Sequence, residues 1–324
     1  MKKIMVNVQV PDEALDPIRG KLEVVMPTDK PAFSREEVLE RIGDCAAMLC
    51  LGLKVDKEVL DLANQLEVVG VVGVGYDNVD WKYATEKNVF VVNCPREVLH
   101  PTAELTIAIM LDVMRCTVSY DRELRNTLKA TTPAFVHRAT LAYGKTLGII
   151  GFGRIGRGVA EKARGLGMKI IYSDTIRADE ETEKALDAQY LSMEDLIRAS
   201  DVISLHCPYM PETHHLFAEE QFEMMKESAY LVNASRGPVV KETALMDALR
   251  EKRIRGAALD VFEHEPDVSE EMAKLDNIVI VPHIGAQCYE VRIALCHESL
   301  NGIIGCLEGE KPYNVVNPTV FDKR

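Results

Sequence analysis

The sequence predicts an α/β protein made of two doubly wound parallel-sheet domains. Three observations carry that prediction. Short apolar strands alternate with helical segments along both halves of the chain. A glycine-rich turn joins one such strand to a helix at residues 147–156. Several later apolar strands each end in a polar loop that carries a chemically active side chain. Strands separated by helices form parallel sheets covered on both faces.

In the first hundred residues the segments 4–9, 22–26, 46–51, 66–72 and 89–92 read as short buried strands. Segments 34–42 and 57–65 read as helices, the first opened by a capping box of Ser34 with Glu37. A long amphipathic segment is expected over 101–128, with Pro101 suited to a first helical turn. Alternation then resumes with strands at 147–150, 169–172, 202–206, 229–233, 257–260 and 278–281, about the six of a full dinucleotide-binding domain. A last helix, 289–307, presents Val291, Ile293, Ala294, Leu300, Ile303, Ile304 and Leu307 on one face, and a short tail follows. The simplest arrangement joins residues 1–100 and 289–324 in one domain. Residues 101–288 then form a second domain inserted into it and reached through two long helices.

The chain has 324 residues, enough for two ordinary domains, and 47% of them are hydrophobic. With 38 Lys and Arg against 51 Asp and Glu, the net charge is −13, which argues against nucleic acid or an anionic membrane as partner. An acidic protein that binds an acidic substrate must use individually placed arginines. Neither a signal peptide nor an apolar run of membrane-spanning length is visible. The eight cysteines show no zinc-type spacing, and Cys50, Cys94, Cys116 and Cys306 sit in apolar runs, as small buried hydrophobes of a reducing cytoplasm do.

The turn reads Gly151-Phe152-Gly153-Arg154-Ile155-Gly156, between an apolar strand and a helix, and the following strand ends at Asp174. Gly151 permits a tight turn, Gly153 lets backbone approach a pyrophosphate, and Gly156 lets helix and strand pack closely. The free amides at the helix start, around Arg154 and Ile155, then face the phosphates. This is a Rossmann fingerprint. A carboxylate at Asp174 accepts from the ribose hydroxyls of NAD and repels the extra phosphate of NADP. Thr175 follows it, and Arg177 reads as a solvated loop charge.

Three strand ends could carry chemistry. The strand before Asn233-Ala234-Ser235-Arg236 delivers an arginine whose fork can hold a carboxylate and polarise a carbonyl. The strand ending at Asp260 leads to Glu265, and the strand before Pro282 leads to His283-Ile284-Gly285. Histidine exchanges protons near neutral pH, and an adjacent carboxylate stabilises and orients its imidazolium. Together they suit reduction of a 2-oxo acid: hydride from reduced nicotinamide, a proton from His283, a carboxylate clamp at Arg236, and Glu265 orienting His283. No metal is required, since the arginine and imidazolium meet the developing charge.

On these motifs the chain resembles the D-isomer-specific 2-hydroxyacid dehydrogenase family over nearly its whole length. That family includes glyoxylate/hydroxypyruvate reductases and 3-phosphoglycerate dehydrogenases. The resemblance implies a Rossmann NAD-binding domain inserted in a flavodoxin-like substrate domain, and usually a homodimer built on the long helices. It implies that residues 72–80 form the substrate loop, with the Val74 and Gly75 amides meeting the substrate carboxylate. Thr106 would touch the cofactor. His206, Cys207, Pro208 and Thr213 would lie beneath the adenine and nicotinamide ribose, and Asn233, Ala234 and Ser235 beside the nicotinamide. Asp260 would bind the carboxamide, and Gly285 would line the cofactor site. Arg236, Glu265 and His283 match the catalytic set.

Lys241, Met210 and Gln287-Cys288 depart from the family's usual residues, and residues 131–143 lack the tryptophan that shapes the pocket in several reductases. The run Asn93-Cys94-Pro95-Arg96-Glu97-Val98-Leu99 is similar to that of glyoxylate reductases, so glyoxylate or hydroxypyruvate is the expected substrate class. The alternatives are a 3-phosphoglycerate dehydrogenase, for which Arg96 and His100 are the candidate phosphate cations, and a non-enzymatic NAD-sensing protein like the corepressors of this fold.

Overall fold

The computed structural model describes residues 1–131 and 139–323, so part of the tryptophan-free stretch 131–143 lies outside the described residues. The chain splits into two compact units, one of Met1–Val98 with Ala286–Arg324 and one of Leu99–Gly285.

The first unit holds a five-stranded parallel sheet of β1 (Lys3–Val6), β2 (Glu23–Val25), β3 (Cys45–Cys50), β4 (Val68–Val71) and β5 (Phe90–Val92), in the order β2-β1-β3-β4-β5. This is the flavodoxin-like order. Strand β3 is buried at all six positions, as a central parallel strand must be. The connecting helices α1 (Arg35–Arg41), α2 (Lys57–Leu62) and α3 (Trp81–Glu86) are capped by Ser34, Asp56 and Asp80. The first strand is shorter than the expected 4–9 because Asn7 leaves the ladder. Its side chain both donates to the Leu51 carbonyl at 2.9 Å and accepts from the Leu51 amide at 2.8 Å.

The second unit opens with α4 (Leu99–Arg115) and α5 (Thr117–Thr127). The single long segment expected over 101–128 is therefore two helices, broken at Cys116, which takes a left-handed φ of 56° and is only partly buried. No residue of α5 is buried.

Seven parallel strands follow: β6 (Thr146–Ile150), β7 (Lys169–Ser173), β8 (Ala188–Tyr190), β9 (Val202–Leu205), β10 (Tyr230–Asn233), β11 (Gly256–Leu259) and β12 (Ile278–Ile280). Their order is β12-β11-β10-β9-β6-β7-β8. Six strands were expected. The extra one, β8, is an edge strand with two of three residues exposed, so it has no apolar run to reveal it. The helices between the strands are α6 (Arg154–Gly165), α7 (Glu180–Leu186), α8 (Met193–Ala199), α9 (Glu219–Met224), α10 (Glu242–Arg250) and α11 (Glu270–Ala273). Strand order reverses between β6 and β9, which opens a crevice beyond their carboxyl ends. Apolar clusters cover both faces, one around Phe217, Phe222 and Leu231, the other around Ile149, Phe152 and Tyr172.

The chain closes with α12 (Tyr289–Leu307), which packs on β3, β4 and β5 of the first unit. No described helix is long and apolar enough to cross a membrane.

Candidate active site

The glycine turn sits at the switch point. Gly151 has φ +90°, and a Cβ there would stand 2.5 Å from the Cys207 amide nitrogen, so the turn packs directly on the loop after β9. Only glycine tolerates both conditions. A Cβ on Gly156 would lie 2.2 Å from the Gly151 carbonyl oxygen, which is how closely α6 approaches its strand. A Cβ on Gly153 would meet nothing within 4 Å. The space over the start of α6 is thus open where a pyrophosphate would sit, against exposed Arg154 and half-buried Ile155. These residues fit a dinucleotide.

Asp174, one residue past β7, accepts from the Phe152 amide at 2.6 Å and from the Ile176 amide at 3.2 Å. The carboxylate is therefore fixed beside the glycine turn. Arg177 is a solvated loop charge, its side chain 63% exposed, but it is not unpaired. It forms a two-pronged pair with Glu183, 2.9 Å on each side, and lies over the Tyr190 ring.

In the loop after β9, His206 Nε2 lies 2.8 Å from the hydroxyl of Ser204. Desolvation pushes the His206 ring down to about 4, so it is neutral and adds no charge to the crevice. Burial pushes the Cys207 thiol up to about 11 and keeps it unreactive. The Thr213 hydroxyl donates to the Pro208 carbonyl at 2.7 Å and accepts from the Met210 amide at 2.8 Å, closing the loop 208–213.

Buried Asn233, at the end of β10, shapes the next loop. Its amide donates to the Arg236 carbonyl at 3.0 Å, and its oxygen accepts from the Ser235 amide at 3.0 Å and the Ser235 hydroxyl at 2.8 Å. The Arg236 guanidinium donates to the Ser235 carbonyl at 2.8 Å, and Ala234 is buried behind it.

Asp260 follows β11 and is 1% exposed. Its oxygens accept from the Ile284 amide at 2.6 Å and the Gly285 amide at 2.9 Å, so it anchors the loop after β12. Burial raises its pKa despite those amides. His283 lies on the anchored loop with a left-handed φ of 53°, a conformation that non-glycine residues adopt mainly where surroundings impose it.

His283 Nδ1 is 2.9 Å from Glu265 Oε2, while Glu265 Oε1 accepts from the Phe262 amide at 3.0 Å. A carboxylate can only accept, so Nδ1 carries the proton and Nε2 is left for exchange with a ligand. Burial pushes the Glu265 carboxyl up. The His283 hydrogen bond, the Phe262 amide and the nearby His283 and Arg236 charges outweigh it and hold the carboxyl below the usual range. Glu265 and His283 thus meet directly, and the charge of Arg236 acts on Glu265 from the neighbouring strand end.

Behind Glu265 stand three groups that sequence reasoning passed over. Glu263 Oε1 faces His215 Nε2 at 2.6 Å, and Oε2 accepts from the Glu242 amide at 3.0 Å. Glu242 returns the bond, accepting from the Glu263 amide at 2.6 Å. This reciprocal clasp ties the start of α10 to the Glu265 loop. The available signal was an acid two residues before Glu265 and another in the first turn of a helix.

Two further residues have partners within the chain. Thr106 is 1% exposed, and its hydroxyl donates to the Thr102 carbonyl one turn back at 2.7 Å. Threonine bonds its own helix readily, and the hydroxyl keeps its acceptor lone pairs. Lys241, which departs from the family's usual residue, pairs with Glu219 at 2.6 Å on the surface. In the first unit, the Val74 carbonyl accepts from the Asn93 side chain at 2.8 Å. Among the described residues, neither the Val74 nor the Gly75 amide donates to a protein acceptor.

A parallel sheet with a glycine fingerprint and acid at its switch point, and an Arg, Glu and His set on neighbouring strand ends, defines a nicotinamide-dependent oxidoreductase. Residues 107–285 match the family described as D-isomer specific 2-hydroxyacid dehydrogenase, NAD binding domain. The chain is 39% identical over 319 residues to a protein of Staphylococcus aureus (strain MRSA252) named as a 2-hydroxyacid dehydrogenase, covering 98% of this chain and all of that one. Its structure is similar to that of a glyoxylate reductase from Paecilomyes thermophila, with TM-score 0.86, 27% identity, and coverage of 97% of this chain and 98% of that one. It is also similar to the holo form of Rhodotorula graminis D-mandelate dehydrogenase, with TM-score 0.86, 30% identity and 98% coverage of each chain. The chain belongs to the D-isomer specific 2-hydroxyacid dehydrogenase family. It carries that family's NAD-binding domain and is an oxidoreductase acting on the CH–OH group of 2-hydroxy acids.

Proposed function

We propose that this protein is a D-2-hydroxyacid dehydrogenase that reduces a small 2-oxo acid, of the glyoxylate or hydroxypyruvate class, with NADH. The observation that carries the reading is the 2.9 Å pair of His283 Nδ1 with Glu265, in the electrostatic reach of Arg236. When bound, the reduced cofactor supplies hydride to the carbonyl carbon. His283 gives the Nε2 proton to the carbonyl oxygen as charge develops there. Arg236 holds the carboxylate and polarises the carbonyl. Glu265 keeps the imidazolium oriented, and in the reverse direction His283 takes the proton.

The cofactor is assigned to the open start of α6 (Gly151, Gly153, Arg154, Ile155, Gly156), to Asp174 for the ribose, to Thr106 of α4, and to the strand-end loops with His206, Cys207, Pro208, Thr213, Asn233, Ala234, Ser235, Asp260 and Gly285. Val74 and Gly75 are assigned to the substrate carboxylate on their likeness to the family's substrate loop. The domain roles follow: residues 101–288 hold NAD, and residues 1–100 with 289–324 hold the substrate.

A small substrate is supported by the run from Asn93, which is tied to the substrate loop at Val74. In that run Arg96, with His100 one of the two candidate cations for a phosphorylated substrate, has its guanidinium over the Tyr313 ring, 3.7 Å from the centroid. A homodimer is supported by α5, which buries nothing in its own chain and exposes Val118 and Leu124. Sedimentation at twice 36.2 kDa is the expected result. Eight free cysteines, six of them buried, fit a cytoplasmic setting.

The test is a turnover screen of NADH and NADPH against glyoxylate, hydroxypyruvate, phosphohydroxypyruvate, pyruvate, and branched and aromatic 2-oxo acids. Loss of nicotinamide absorbance with glyoxylate or hydroxypyruvate is expected. Preference for the phosphorylated acid makes the protein a 3-phosphoglycerate dehydrogenase. NADH binding without turnover of any acid makes it a sensor.

A further inference from the structure

We propose that Glu183 sets the cofactor preference by holding Arg177 in a two-pronged ion pair, away from the 2′ position of the adenosine ribose. The inference rests on the NADH reading above and names a residue outside the glycine fingerprint that enforces it.

Arg177 lies three residues beyond Asp174, in the loop between β7 and α7. An arginine near this acid is what accommodates the 2′-phosphate of NADP in Rossmann domains. Here its Nε and Nη2 each reach a Glu183 oxygen at 2.9 Å, the fork geometry that most strongly occupies a guanidinium. The guanidinium also lies 5.6 Å over the Tyr190 ring, on the outer strand β8. Glu183 cannot swing away freely. Its side chain is 14% exposed, and the Tyr172 hydroxyl donates to it at 2.6 Å. That hydroxyl in turn accepts from the Ala178 amide at 3.0 Å, fixing the loop that carries Arg177.

The Tyr172 ring is fully buried and stacks on Phe152 at 4.0 Å. Phe152 is the fingerprint residue whose amide fixes Asp174. One chain of contacts therefore runs from the glycine turn through Phe152 and Tyr172 to Glu183 and Arg177. It presents Asp174 to the ribose and withholds the nearby cation. Without Glu183, the guanidinium, charged in either case, has its donors freed to meet a 2′-phosphate.

The experiment measures kcat/KM for NADH and NADPH with the best 2-oxo acid, and calorimetric binding of adenosine 2′,5′-bisphosphate against 5′-AMP, in wild type, Glu183→Gln, Arg177→Ala and the double variant. In Glu183→Gln the NADPH-to-NADH ratio is expected to rise about tenfold, the size of one charge-assisted hydrogen bond, with a matching gain for the bisphosphate. The double variant is expected to lose both gains. An unmoved ratio in Glu183→Gln, or an equal gain in the double variant, overturns the proposal, because then Arg177 is not the group released. Arg177→Ala keeps the test open if Glu183→Gln does not fold. It should leave the wild-type ratio where it is, and a fall in NADPH use would mean that Arg177 already reaches the phosphate, against the proposal. Failure of wild type to bind NADH or 5′-AMP at all would instead overturn the underlying cofactor reading.

Discussion

Gly237 lies so close to Phe262 that a Cβ on it would stand 1.8 Å from the Phe262 carbonyl oxygen and 2.5 Å from the Glu263 amide nitrogen. Backbone meets backbone here, between the loop that carries Arg236 and the loop that carries Glu265. The two loops share one boundary, and the clasp of Glu242 and Glu263 lies beside it.

Gly237→Ala should therefore force the two loops apart. Neither neighbour is a side-chain end that can yield, so overpacking should cost about 1–3 kcal/mol. The expected outcome is a lower melting temperature with kcat reduced more than NADH affinity. An unchanged kcat would show that the loops are not coupled at this point.

His283→Ala removes the proposed proton donor while leaving the fingerprint untouched. Loss of a general acid costs about 10²–10⁴ in turnover. The fall should appear in kcat, with NADH binding followed by fluorescence changed little. Turnover near the wild-type level would reject His283 as the acid.

Arg236→Lys keeps the charge but loses the fork. Both KM for the 2-oxo acid and kcat should worsen, because a point charge cannot hold a carboxylate and a carbonyl oxygen in one geometry. Steady-state kinetics in which lysine serves as well would remove the bidentate assignment.

The pH dependence follows from Glu265, whose folded pKa is depressed. A depressed carboxylate stabilises the fold above its unfolded value, near 4.3, and loses that contribution as pH falls through the lower folded value. Thermal melts of wild type and Glu265→Gln between pH 3 and pH 7 check this. The wild-type advantage should hold at neutral pH and shrink below about pH 4. An advantage that grew on acidification would mean that the carboxyl is protonated in the folded protein.

Much of this was legible in the chain because it is encoded locally. Apolar runs such as Cys45–Cys50 mark buried parallel strands wherever they occur. The spacing of Gly151, Gly153 and Gly156 constrains one turn, and Ser34 with Glu37 caps one helix. The break at Cys116 was not legible, because amphipathic periodicity continues across it. Nor was β8, whose pairing with β7 comes from register and not from composition.

Side-chain roles that depend on distant partners were harder to read. The Thr106 hydroxyl bonds the Thr102 carbonyl within its own helix, a partner no motif announces. Arg177 looked idle until Glu183, six residues on, was found to hold it.

Local pattern alone thus identified the α/β class, the dinucleotide turn and the three strand ends that carry Arg236, Glu265 and His283. Only the tertiary structure decided which atoms meet. It placed Nδ1 of His283 on Glu265, gave Asp260 the task of anchoring the His283 loop, and brought Gly237 against Phe262. The physical reason is range. Hydrophobic periodicity and turn chemistry act within a few residues. Hydrogen bonds and close packing between loops depend on strand order and register, which bring together residues far apart in the chain.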